Sequence, residues 1–218
     1  GLQSIWIPHR APIGHSPGHV DLEGFWARLA EANVPFVLHV GGAPLQVSKD
    51  WGNNGRAPVK DWLGGGENVR TKDAAVLHQT PEMFLSVMLL DGVFDRHPGL
   101  RGAAVELGAG WVPEMCRRLD WVTRIYGRSD KSVRFDRAPS QQLIEQMAFT
   151  PFSHEDVAYL MEDSHPDLYL FSSDYPHLEG TKDPIGRFER FLEHSEPAIR
   201  DAFYAENFLR LWPSARVS

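Results

Sequence analysis

Short apolar segments rich in β-branched and aromatic residues alternate along this chain with stretches whose apolar residues recur every three or four positions, and that alternation fixes the fold class. Ile5-Trp6-Ile7, Val34 to Val40, Gly102 to Leu107 and Leu168 to Asp174 have the length and composition of strands. Between them, Leu22 to Asn33 sets Phe25, Trp26, Leu29 and Ala32 at helical spacing, Glu82 to about Asp95 is apolar nearly all round, and Pro113 opens a helix to about Tyr126. Strands joined by connections of helical length pair in parallel, so the expected class is α/β, with helices packed on a parallel sheet. Asp21 is the expected N-cap of the first helix, Pro81 the first residue of the second, and Ser153-x-x-Asp156 a capping-box-like start further on. Leu143 to Phe149 reads equally as helix or strand. Asp183-Pro184 starts a helix through Leu192, and Pro197 opens a last one ending near Trp212. The low periodicity from Ala43 to about Gln79, with Asn53-Asn54-Gly55 and Gly64-Gly65-Gly66, predicts a long connection of the kind that shapes a pocket.

Charge and composition remove several function classes. The 218 residues can bury one sizeable core, so a single domain over residues 1–218 is expected. A net charge of −7, with the 22 basic residues dispersed, offers no electrostatic footprint for nucleic acid. No run approaches the roughly 18 apolar residues of a membrane span, and the first residues lack the pattern of a signal peptide, so a soluble, cytoplasmic protein is expected. The single cysteine, Cys116, excludes an intrachain disulfide and any multi-cysteine metal site, which leaves nitrogen and oxygen as the donors for a metal. Ten histidines are about twice the ordinary usage for this length and direct attention to where they fall.

His9, His39, Glu106 and Asp174 each lie at or just past the C-terminal end of an expected strand, the edge where parallel α/β sheets place their chemistry. A neutral His39 could ligate a metal, although a strand-end histidine taken alone is more often structural. Asp174 follows a buried strand directly and is held by Tyr175-Pro176-His177, its alternative role being that of a turn aspartate. Gly14-His15-Ser16-Pro17-Gly18 matches a serine-nucleophile elbow in form only, because Pro17 has no N–H to build the oxyanion hole. Gly108-Ala109-Gly110-Trp111-Val112-Pro113 begins like a dinucleotide-binding loop, but Pro113 replaces its third glycine.

Phe36 to Gly41, Phe94 to Leu100 leading into Glu106 to Pro113, and Phe171 to His177 resemble the amidohydrolase-related family that includes aminocarboxymuconate semialdehyde decarboxylase and γ-resorcylate decarboxylase. Ala205 to Leu211 resembles that family's closing helix, so the resemblance runs in order over nearly the whole chain. It implies a distorted (β/α)₈ barrel holding a divalent metal, usually zinc, at its C-terminal face. His39 then corresponds to the metal-binding histidine after the fifth strand and Asp174 to the metal-binding aspartate after the eighth, Asp174 doubling as proton shuttle. Two departures stand out. The family's first-strand ligand pair has no counterpart, and since a barrel takes about 250 residues, residues 1–218 are expected to form its C-terminal part, about strands 4 to 8. The remaining ligands would lie before Gly1. Leu107 stands where the decarboxylases place a catalytic histidine, so Glu106 or His177 is expected to serve instead. The resulting expectation is a metal-dependent amidohydrolase-type enzyme acting on a small carbonyl or carboxylate substrate through metal-activated water. Its catalytic residues are Asp174, His177 and Glu106, and its metal ligands His39 and Asp174. Non-oxidative decarboxylation is the alternative chemistry, and an inert half-barrel acting in binding or assembly the alternative class. The expected assembly is a homodimer, or a partner chain completing the barrel.

Overall fold

The computed structural model describes residues 2–43, 47–57, 71–177 and 180–215. Four parallel strands, β1 (Ile5–Trp6), β2 (Phe36–His39), β3 (Gly102–Val105) and β4 (Met147–Phe149), lie side by side in chain order. Their register aligns Trp6 with Val37, Val37 with Ala103 and Ala103 with Ala148. The α/β class with a parallel sheet is therefore as the sequence implied.

The two faces of the sheet carry different residues. Phe36, Leu38, Ala104, Met147, Phe149 and Tyr169 pack into the main core with the helices. Ala103, Ala148 and Leu170 occupy the opposite face with Leu211 and the partly buried Val105 and Trp212. Small residues on β3 follow from the size of their neighbours: a Cβ on Gly102 would come 2.5 Å from the Phe36 ring and 2.8 Å from the Met147 sulfur. His39 is in register with Val105, which places its imidazole on the face of Ala103 and Ala148 rather than in the helix-side core.

The helices follow the expected periodicity with instructive differences at their ends. Helix α1 (Glu23–Ala32) is preceded by a 3₁₀ turn at Val20–Leu22. Asp21 does not cap α1: it lies inside that turn, where His19 accepts its amide, and Leu22 occupies the N-cap position without a side-chain bond. Short helices α2 (Lys49–Gly52) and α3 (Thr71–Ala75) interrupt the long connection, whose Gly64-Gly65-Gly66 lies outside the described residues. The expected single helix up to Asp95 is two, α4 (Gln79–Leu90) and α5 (Val93–Arg96). They are broken at Gly92, whose φ of +73° no helix accommodates, and α4 begins two residues before Pro81.

Helix α6 (Val112–Tyr126) buries Val112, Met115, Cys116 and Leu119 along one stripe. Burial pushes the Cys116 thiol up to about 12, so it is no thiolate donor near neutral pH. Leu143 to Phe149 proves to be both elements in turn, the end of α7 (Pro139–Gln146) and then β4. Asp156, rather than Ser153, caps α8 (Val157–Asp163), accepting the Tyr159 amide at 3.1 Å. The expected strand from Leu168 to Asp174 is reduced to a bridge between Tyr169 and Phe149, because Pro166–Leu168 forms a 3₁₀ turn and the Phe171 amide turns instead to the Phe203 carbonyl. Asp183 caps α9 (Pro184–Phe191). The last helix is α10 (Pro197–Asp201) and α11 (Asn207–Leu211), joined by a π-helical turn at Ala202–Glu206. Among the described residues no helix is long and apolar enough to cross a membrane.

Candidate active site

Parallel strands end at a common edge, and that topology alone brings His9, His39 and Glu106 together. Glu106 is the first residue past β3 and adopts a φ of +58°, a conformation costing a non-glycine residue on the order of 1 kcal/mol. Its amide donates to the hydroxyl of buried Thr150, past the end of β4, at 3.0 Å. Thus fixed, a side chain only 6% exposed extends between two imidazoles: Oε2 lies 2.7 Å from His39 Nε2 and Oε1 3.0 Å from His177 Nδ1. Asp174 shares the left-handed backbone, at φ +47°, and its Oδ1 accepts the Ser172 hydroxyl at 2.9 Å. The turn closes as the His177 amide donates to the Asp174 carbonyl at 2.8 Å.

His39 Nδ1 donates to the Val40 carbonyl at 2.9 Å while Nε2 faces Glu106. Between the Val40 carbonyl and Glu106, Nε2 is met by its own proton, by the proton of a neutral Glu106, or by a metal ion taking that place. The donor chemistry at His39 therefore fits a divalent ion. His39 and Asp174 nonetheless do not fall, among the described residues, in a group of three titratable side chains whose donor atoms all lie within 4.8 Å. His9 supports the strand end from behind: Nε2 donates to the His39 carbonyl at 3.0 Å, Nδ1 is buried with no partner among the described residues, and burial holds the imidazole below the ordinary histidine range. A Cβ on Gly42 would come 2.7 Å from His9 Cδ2 and 3.0 Å from the His39 carbonyl. Gly42→Ala is accordingly expected to cost about 1–3 kcal/mol and to weaken metal retention. Thermal unfolding and metal analysis check it, and unchanged values would mean that the loop yields freely.

Leu107 is buried in the helix-side core, so the group that β3 offers at its end is Glu106. Sequence reasoning missed Thr150 and Glu155. The Glu155 carboxylate accepts the amides of Ala109, Gly110 and Phe152, at 3.0, 2.7 and 2.6 Å for the shortest contact of each. It thereby fills the amide nest in front of α6 that a phosphate would otherwise take, so the Gly108-Ala109-Gly110 turn already holds an internal anion. A hollow of about 1140 Å³ along α6, lined by Arg124, Arg134 and Trp121 among others, includes none of the strand-end residues.

The fold and this edge define an α/β protein with a parallel sheet and with imidazoles gathered about a buried carboxylate at the C-terminal ends of its strands. Residues 8–213 match the family described as amidohydrolase, and the chain belongs to it. Among solved structures, it resembles an amidohydrolase from Mycobacterium avium subsp. paratuberculosis, with a TM-score of 0.77, 26% identity, and coverage of 97% of this chain and 52% of that one. A 5-carboxyvanillate decarboxylase from Novosphingobium aromaticivorans, complexed with manganese and 4-hydroxy-3-methoxy-5-nitrobenzoic acid, aligns with a TM-score of 0.66 at 15% identity over 98% of this chain and 57% of its own. A 2,6-dihydroxybenzoate decarboxylase from Rhizobium gives 0.63 at 21% identity over 93% and 58%. The chain thus spans between 52% and 58% of the length of these structures. No curated protein matches it by sequence.

Proposed function

We propose that the protein is a metal-dependent hydrolase of the amidohydrolase type acting on a small carbonyl or carboxylate substrate, its residues 1–218 corresponding to about strands 4 to 8 of the barrel. The observation that carries this reading is the buried Glu106 carboxylate held between His39 and His177 at the catalytic edge of the sheet. His39 and Asp174 would hold the ion, zinc or manganese. When bound, such an ion polarises a carbonyl and lowers the pKa of water. Asp174, whose Oδ1 accepts the Ser172 hydroxyl, would also accept a proton from the attacking water. His177 has Nδ1 on Glu106 and a side chain half exposed, and as a protonated imidazole it would donate a proton to the leaving atom. Glu106 orients that ring and stabilises its charged form. The cytoplasm as compartment, and a homodimer or a partner chain completing the barrel as assembly, belong to the same proposal.

Decarboxylation is the second reading, supported by the decarboxylases among the structural neighbours and by the same His177 donor, which could protonate the carbon that loses carbon dioxide. Purified protein supplied with zinc or manganese should turn over esters, lactones or amides, or release carbon dioxide from hydroxybenzoates, in a chelator-sensitive manner. Asp174→Asn should lower that rate at least about a hundredfold. Turnover unaffected by both chelator and Asp174→Asn would overturn the proposal, and the product formed decides between the two chemistries.

A further inference from the structure

A second group of donors, sharing no residue with the strand-end site, lies in the connection between β1 and α1. We propose that His15, His19 and Asp21 form a binding site for a divalent transition-metal ion of the zinc class. Their donor atoms all lie within 4.8 Å of one another. His15 Nε2 is 3.2 Å and His19 Nδ1 3.5 Å from the same oxygen, Asp21 Oδ2. Tetrahedral zinc with bonds near 2.1 Å spaces its ligands about 3.4 Å apart, and both separations bracket that value.

Ring orientation points the same way. His15 Nδ1 donates to the Ile13 carbonyl at 3.0 Å, which in the neutral tautomer leaves a lone pair on Nε2. His19 Nδ1 accepts the Asp21 amide at 3.2 Å, so it too carries a lone pair, one that a metal would take over from that amide. Two nitrogen lone pairs and a carboxylate therefore converge, and positive charge is what reconciles them. Two imidazoles and one carboxylate suit zinc, cobalt, nickel or copper, and do not suit calcium or magnesium, which favour oxygen throughout.

The loop is also held in shape before any ion arrives. The Ser16 hydroxyl donates to Asp91, the Gly18 amide donates to Ser16 Oγ at 3.1 Å, and the indole of buried Trp26 donates to the Pro17 carbonyl at 2.8 Å. A Cβ on Gly18 would collide with Asp91, so glycine is what lets the loop lie against the C-terminal end of α4. The rings of His15 and His19 meet edge to face at 4.2 Å, so neither has far to turn. An ion bound here would clip the loop to the 3₁₀ turn at Val20–Leu22.

The test is a cobalt(II) titration of the metal-free 218-residue chain, followed by visible absorption and by equilibrium dialysis. It compares wild type with His15→Ala/His19→Ala, Asp21→Asn and His39→Ala, each checked for folding by circular dichroism. The double variant should lose one equivalent of cobalt, and Asp21→Asn should weaken the same equivalent at least about tenfold. His39→Ala should keep it, which separates this site from the strand-end site. Equal uptake by wild type and the double variant, or no uptake by wild type at micromolar metal, would overturn the proposal.

Discussion

Glu106→Gln is expected to lower kcat/KM by roughly 10²–10⁴-fold while leaving the circular dichroism spectrum unchanged. Glutamine has nearly the shape of glutamate but no charge. One side of its amide can still accept from one imidazole, whereas its NH₂ must face a nitrogen of the other. His39 and His177 both contact this one carboxylate, at 2.7 and 3.0 Å, so the substitution removes the group that orients His177 and stabilises its protonated form. Because that role belongs to proton transfer, the loss should fall on kcat more than on KM, and the pH profile should move as well. Glu106→Asp keeps the charge but draws it back by one methylene, so it should recover part of the rate. A Gln variant with wild-type kcat would show that the carboxylate only holds the strand end in place.

That site was legible in the sequence to the extent that it depends on topology. Parallel strands put their C-terminal residues on one edge, so His39 and Glu106 could be picked out by position alone, whereas Asp174 follows a bridge at Tyr169 rather than a full strand. What spacing could not supply was direction. A strand pattern alternates faces, and by that rule Glu106 and Leu107 are equally eligible, yet the positive φ of Glu106 turns its carboxylate into the site and sends Leu107 into the core. Thr150 and Glu155 escaped notice for a different reason: each acts on a backbone amide more than forty residues away in sequence. Local capping rules assigned Ser153 and Asp156 to a helix start and left Glu155 without a task. Helix ends were the least legible elements, because the left-handed Gly92 and the histidine-capped turn at His19–Asp21 leave no trace in apolar periodicity. The last strand was overestimated since β-rich composition does not reveal that Phe171 bonds to Phe203 across the core. By contrast, Asn207 and Arg210 explain why the closing segment has a recognisable sequence. The Asn207 amide donates to the carbonyls of Pro166 and Tyr169, and the Arg210 guanidinium to those of Glu145 and Asp167. Polar side chains are there the links that tie the last helix to the sheet.

Phe203→Ala is expected to destabilise the fold by about 3–5 kcal/mol, equivalent to a fall in melting temperature of roughly 10 °C for a chain of this size. Phe203 is fully buried, with its ring 5.0 Å from Phe188, 5.1 Å from Tyr204 and 6.1 Å from Phe171. Truncation empties the centre of this aromatic group, which α9 and the π-helical turn are too constrained by their own hydrogen bonds to refill. The Phe203 carbonyl also accepts the Phe171 amide at 3.0 Å, three residues before Asp174, so relaxation of the cavity reaches the approach to the site. Metal retention should therefore weaken along with stability, even at temperatures where the variant is folded. Phe203→Leu fills most of the volume and should recover more than half of the stability. A melting temperature within about 3 °C of wild type for Phe203→Ala would mean that the cluster closes over the gap, and that the segment carrying Asp174 is positioned by its own turn rather than by the helix beneath it.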